Sequence, residues 1–127
     1  MNTKKTIKTA IVALAVAMAF TGCNREKSKA ESMVKDFLKE NLVENDFKVM
    51  DFSRLDSTTF VSDSIFWLMR EKGSENSRFK QPLVFPDGPK TRKLHFIRVK
   101  YRIEKDTILQ TFYFDDELSR VVSFKEG

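Results

Sequence analysis

The run Leu94-His95-Phe96-Ile97-Arg98-Val99-Lys100-Tyr101-Arg102-Ile103-Glu104 decides the fold, because from Ile97 onward apolar and charged side chains alternate strictly. Ile97, Val99, Tyr101 and Ile103 fall on one side, and Arg98, Lys100, Arg102 and Glu104 on the other. That is the two-residue period of a strand with one buried face. Leu94 and Phe96 are out of phase with it, and the spacing predicts a β-bulge near Phe96–Ile97. Glu104-Lys105-Asp106 then turns the chain, Thr107 to Phe114 returns, Asp115-Asp116-Glu117 turns it again, and Leu118 to Phe124 forms a last strand. The C-terminal third therefore reads as a β-meander.

Toward the N-terminus, residues 73–92 are dominated by turn formers, Gly73-Ser74-Glu75-Asn76-Ser77-Arg78 and Pro86-Asp87-Gly88-Pro89. Leu83-Val84-Phe85 reads as a short edge strand bracketed by Pro82 and Pro86. Before it, Ser62 or Asp63 caps a short helix through Arg70, with Ile65, Phe66, Leu68 and Met69 as its apolar side and Gly73 as its stop. Phe47 to Leu55 reads as a strand, with Phe47, Val49 and Asp51 on one face and Met50 and Phe52 on the other. Ser57 to Phe60 is a polar connector. A first helix over about residues 29–43 has the clearest start: Ser28-Lys29-Ala30-Glu31 fits the capping box. Ala30, Met33, Val34, Phe37, Leu38 and Leu42 follow at helical spacing as one stripe. A helix at the front and a meander at the back predict an α+β domain, with the N-terminal helix packed on an antiparallel β-sheet.

The first 22 residues have a different character. Lys4, Lys5 and Lys8 precede an apolar stretch from Ala10 to Phe20. About eleven residues cannot span a bilayer core, which needs about 20 as a helix, but they fit the apolar region of a secretory signal. Phe20-Thr21-Gly22-Cys23 follows, and it resembles the lipobox of bacterial lipoproteins at Thr21, Gly22 and Cys23, with Phe20 in place of the usual Leu. The resemblance implies that the Cys23 thiol receives a diacylglycerol and that the chain is cut before it. The expected organisation is a signal over 1–22, a lipidated tether over 23–29 and one domain over 30–127. Asn24 rather than Asp after the cysteine implies the outer membrane, and the basic run Arg25-Glu26-Lys27-Ser28-Lys29 favours a face toward the periplasm. Cys23 is the only cysteine, so no internal disulfide is available.

Charge carries less than it first suggests. The formal net charge is +5, but the three signal lysines leave with residues 1–22, and twenty basic residues then face eighteen acidic ones. A nucleic-acid partner is not expected for an exported chain of this balance. Twelve phenylalanines, all but Phe20 in the mature part, predict an aromatic core.

Val34-Lys35-Asp36-Phe37-Leu38-Lys39-Glu40-Asn41-Leu42, Phe52-Ser53-Arg54-Leu55-Asp56-Ser57 and Lys100-Tyr101-Arg102 resemble a group of small bacterial lipoproteins. Those carry a cystatin-like or nuclear-transport-factor-2-like domain after the anchor. The resemblance implies such a fold and brings no catalytic residues with it. The inhibitory Gln-x-Val-x-Gly loop of cystatins is missing, and no residue can be placed as the acid or base of an isomerase or dehydratase cavity.

The residues offer little chemistry of their own. His95 is the only histidine, too few for a histidine zinc site, and no Gly-x-Ser-x-Gly elbow accompanies it. It reads as a solvated or packing side chain. Asp115-Asp116-Glu117 lacks the ligand spacing of a calcium loop and reads as three acids facing water. Trp67 and the phenylalanines read as core, with a ligand cavity between helix and sheet as the alternative. No cofactor, metal site or catalytic residue is expected. Lys90, Arg92, Lys93, Arg98, Lys100 and Arg102 are six cations without an acid among them. Arg98, Lys100 and Arg102 share one strand face at about 7 Å per step. The bland reading is a solvated face whose charges pair across strands with Glu104 or Asp106. The functional one is a patch facing anions: lipid headgroups, a phosphorylated or acidic glycan, or an acidic partner. The expected activity is a non-enzymatic, membrane-tethered binding or accessory domain. Its expected partners are the membrane, through the N-terminal lipid, and an envelope protein. The alternative is a binder of small ligands or anionic groups that uses a cavity or the basic strand.

Overall fold

The computed structural model describes residues 25–88 and 91–127. The expected signal, Cys23, Asn24 and Lys90 lie outside the described residues. Among the described residues the fold is α+β, with two helices on an open five-stranded antiparallel sheet. Helix α1 (25–41) leads to β1 (Phe47–Phe52), β2 (Asp56–Thr58) and helix α2 (Asp63–Ser74). The meander β3 (Leu94–Ile103), β4 (Asp106–Phe114) and β5 (Val121–Glu126) completes it. The sheet order is β1-β3-β4-β5, and β2 shares the β1 edge of β3.

Helix α1 buries the stripe its spacing predicts. Ala30, Val34, Leu38 and Leu42 are wholly buried, with Met33 and Phe37 half-buried beside them. Phe37 lies among Phe79, Phe85, Phe112 and Phe124, at centroid distances of 5.6 to 6.2 Å. Rings in this geometry add about 0.5–1.5 kcal/mol per pair beyond their area burial, and they occupy the space between helix and sheet. Two expectations for this helix fail. Residues 25–29 are helical, so they are not an uncompacted tether. Ser28 to Glu31 therefore lies inside the helix and not at its cap.

The strands show where local pattern misleads. β1 bulges at Met50, since Val49 opposes Tyr101 and Asp51 opposes Lys100. Phe47, Val49 and Phe52 thus share the face toward α1, and Lys48 and Asp51 share the other. Residues 56–58 are not a connector but pair with Leu94 to Phe96. β3 has no bulge at Phe96–Ile97; its register with β4 is unbroken from His95 to Ile103. Leu94 and Phe96 are apolar because they belong to the second face. There they pack with Phe66, Met69, Tyr113 and Val122 under α2.

Helix α2 starts as expected, with Ser62 Oγ accepting from Ile65 N–H at 3.3 Å. It runs four residues past Arg70. Gly73 is no stop: it lies in the last turn, where an added Cβ would meet Phe124 Cε1 at 3.1 Å. Phe66 and Met69 point inward, while Ile65 and Leu68 are exposed. The helix lies along β5, and Arg70 Nε donates to the Val122 carbonyl at 2.9 Å. This covers an edge that would otherwise offer free backbone groups. Leu83-Val84-Phe85 forms no strand. The segment is held instead by buried Phe79 and Leu83 and by a bridge from Phe79 to Leu42.

Candidate functional site

The sheet has two unlike faces. Helix α1 and the phenylalanines cover one. On the other, α2 covers only the end holding Leu94, Phe96, Tyr113 and Val122, and the remainder is open. The strand pleat sends Arg98, Lys100 and Arg102 to that open part, and all three are exposed. Register brings further residues beside them. Lys48 lies opposite Arg102, Asp51 opposite Lys100, Thr111 opposite Arg98, and Lys125 opposite Thr111. Strands lie about 4.8 Å apart and alternate residues about 7 Å apart. Among the described residues five cations, Lys48, Arg98, Lys100, Arg102 and Lys125, therefore share one face with two acids, Asp51 and Asp56, and Asp56 is paired with Arg54.

These cations are not paired as the bland reading expects. Among the described residues only two ion pairs lie within 4.0 Å, Arg54–Asp56 at 3.7 Å and Arg78–Asp106 at 3.4 Å. Asp106 is thus engaged by Arg78, and Glu104 holds none of the row. Lys48 and Arg102 form a like-charged cross-strand pair, an arrangement that opposes folding by some tenths of a kcal/mol, up to about 1. The cations are about one Debye length apart at physiological salt, roughly 8 Å, so a ligand with several negative charges meets them jointly. Arg98 also borders a shallow depression of ≈210 Å³ with Ser53, Arg54, Asp56, Phe96 and Thr111. Lys48 and Lys125 were absent from the sequence-based patch. Their alternation on β1 and β5 hints at a face, but only register joins them to Arg98.

Behind this face three polar side chains are linked in series. Tyr101 Oη donates to Gln110 Oε1 at 2.7 Å, and Gln110 Nε2 donates to Glu126 Oε1 at 2.9 Å. Asn76 Nδ2 donates to the same Glu126 oxygen at 2.8 Å, tying the end of α2 to β5. Burial, reinforced by the Glu126 charge, holds the Tyr101 phenol well above its ordinary range, so it is a neutral donor and not a base.

The remaining candidates have structural parts. His95 is half-buried, with Nε2 3.0 Å from the Asp116 carbonyl. Asp115 is not solvated as expected but buried, and it organises the β4–β5 turn. It accepts from the Ser119 hydroxyl, from Ser119 N–H at 2.6 Å and from Arg120 N–H at 3.2 Å. Burial alone would raise its pKa, but these donors and the Arg120 charge bring it below the ordinary carboxylate range. Among the described residues no group of three His, Cys, Asp or Glu side chains could hold a metal ion. None of their helices is long and apolar enough to cross a membrane. Trp67 is not core but 60% exposed. No family model, curated protein or solved structure matches this chain.

Proposed function

We propose that this chain is a lipid-anchored, non-enzymatic binding domain of the bacterial cell envelope, and that its open sheet face receives an anionic ligand or acidic partner. The single observation that carries the binding reading is the set of five cations on that face, which includes a like-charged cross-strand pair. A sheet gains no stability from such a pair, whereas an anion placed over it relieves the repulsion. The anchor reading rests on the apolar signal and on Thr21-Gly22-Cys23. Attachment at Cys23 in the outer membrane, facing the periplasm, is part of the same proposal. A long helix laid on one face of an antiparallel sheet also supports a cystatin-like or nuclear-transport-factor-2-like fold.

The test uses the full chain and a short inorganic polyphosphate as probe. Binding should be measurable by calorimetry, weaken as salt rises, and fall at least about tenfold in the double variant Arg98→Glu, Lys100→Glu, a change of about 1.4 kcal/mol. Equal binding by the double variant and the parent sinks the anionic-face reading. In-cell crosslinking from the same face then identifies an acidic protein partner or a glycan.

A further inference from the structure

We propose that Phe60 and Trp67 seat the domain on the bilayer interface at the end of the molecule from which the anchor emerges. This inference rests on the anchor reading for its geometry. The register of the strands defines two ends of the sheet. β1 begins opposite Ile103 and β2 finishes with Thr58 opposite Leu94, so the chain leaves β2 at the end where β3 starts. Phe60 lies two residues further on. Helix α2 starts at that end too, since Phe66 packs with Leu94 while Asn76, just past the other end of the helix, reaches Glu126, which the register sets level with Val99 in mid-strand.

Helix α1 runs the same way. Its C-terminal end lies beside Phe79 and Arg78, and Arg78 pairs with Asp106 at the β3–β4 turn. Met33 lies with Ser119 and Val121, at the start of β5. The helix therefore points its N-terminus toward the end that carries Phe60. From Met33 to Arg25 it rises about 12 Å. The two residues from Thr58 to Phe60 extend up to about 7 Å beyond the last β2–β3 pair. Cys23 precedes Arg25 by two residues in the sequence, which allows at most about 7 Å of chain. A lipid on Cys23 therefore holds this end of the domain against the headgroups.

Phe60 is 94% exposed and Trp67 60%, and they are the only aromatics among the large exposed apolar residues described. Both belong to this end. Trp67 is held from behind: its ring stands edge-on to Phe66 at 5.7 Å, and the Arg70 guanidinium lies 5.2 Å from its centroid. Arg70 is itself fixed by hydrogen bonds to Val122 and Pro86 carbonyls. A rigid exposed Trp and an exposed Phe are the side chains that favour the boundary between headgroups and acyl chains. Beside Trp67, Arg92 shares a depression with Asp63, and the seat consists of the two rings themselves.

Trp67 is the only tryptophan in the chain, so it reports its own depth. The full chain, purified from bacterial membranes and reconstituted in phosphatidylcholine vesicles, is compared with and without lipid brominated near the headgroup end of its acyl chains. The mass of its N-terminal peptide reports acylation separately. The expected result is an acylated, floated chain whose Trp67 emission is blue-shifted and quenched by the brominated lipid. Phe60→Ser, at a side chain that packs on nothing, should reduce the quenching several-fold without changing the fold. An acylated, floated chain with unquenched Trp67 overturns the seat and leaves the anchor standing. An unacylated chain whose Trp67 is still quenched supports the seat and removes the anchor. An unacylated, unquenched chain overturns both.

Discussion

Two halves of one strand face behave differently. Along β3, Leu94 and Phe96 are covered by Phe66 and Met69 of α2, whereas Arg98, Lys100 and Arg102, on the same face and the same strand, stand in solvent. The backbone does not distinguish them, because the register with β4 is continuous through both halves. What differs is the length of α2 and where it lies. The apolar residues end where the helix's cover ends, and the charges begin there. A break in alternation therefore marks the boundary of a covering element here, not a distortion of the strand.

The largest expected effect tests that contrast directly. Leu94→Ala should cost about 2–5 kcal/mol, as truncation of a buried Leu does, while Lys100→Ala should change stability by no more than about 0.5 kcal/mol. Urea unfolding of both variants decides it, and similar losses at the two positions would break the comparison. Next in size is the turn that closes the covered end. Asp115→Asn should weaken the donors from Ser119 and Arg120 and cost on the order of 1–2 kcal/mol near neutrality. The folded-state pKa of Asp115 is depressed, so its contribution is complete above the unfolded value of about 3.9 and disappears as pH falls through the folded one. Unfolding midpoints of parent and variant should accordingly converge on acidification from pH 6 to pH 2; a constant gap would assign the effect to packing instead.

The smallest effect sharpens the contrast on the open half. Arg102→Glu converts the Lys48–Arg102 pair from like to opposite charge and should stabilise the fold by some tenths of a kcal/mol, up to about 1. The same change should weaken polyphosphate binding. Stability and binding moving in opposite directions is the signature of a face kept for a ligand. If both fell together, the cations would be supporting the fold.

Much of the architecture was legible. Alternation from Ile97 to Ile103 identified β3 and its buried face, and the four-residue spacing of Ala30, Val34, Leu38 and Leu42 identified the buried stripe of α1. The reason is physical: both signals are the imprint of one apolar face on a regular backbone. Arg98, Lys100 and Arg102 were legible as a row for the same reason. Lys48 and Lys125 were not, because pairing across strands leaves no mark in either sequence. Asp115 misled because an acid in a run of acids resembles a solvated one until the turn wraps its own N–H groups around it. Trp67 misled because an apolar ring does not declare whether its neighbours will cover it.

The sequence by itself determined the α+β class, the helix stripe and the alternation of β3. Each is a local pattern, set by composition or by the period of one element. Only the tertiary structure decided which half of the second sheet face α2 would cover, which cations would stand together, and that Phe60 and Trp67 would lie toward the end to which the N-terminus of α1 points. Those relations join residues far apart in the chain, and they exist only once register and helix placement bring the elements together.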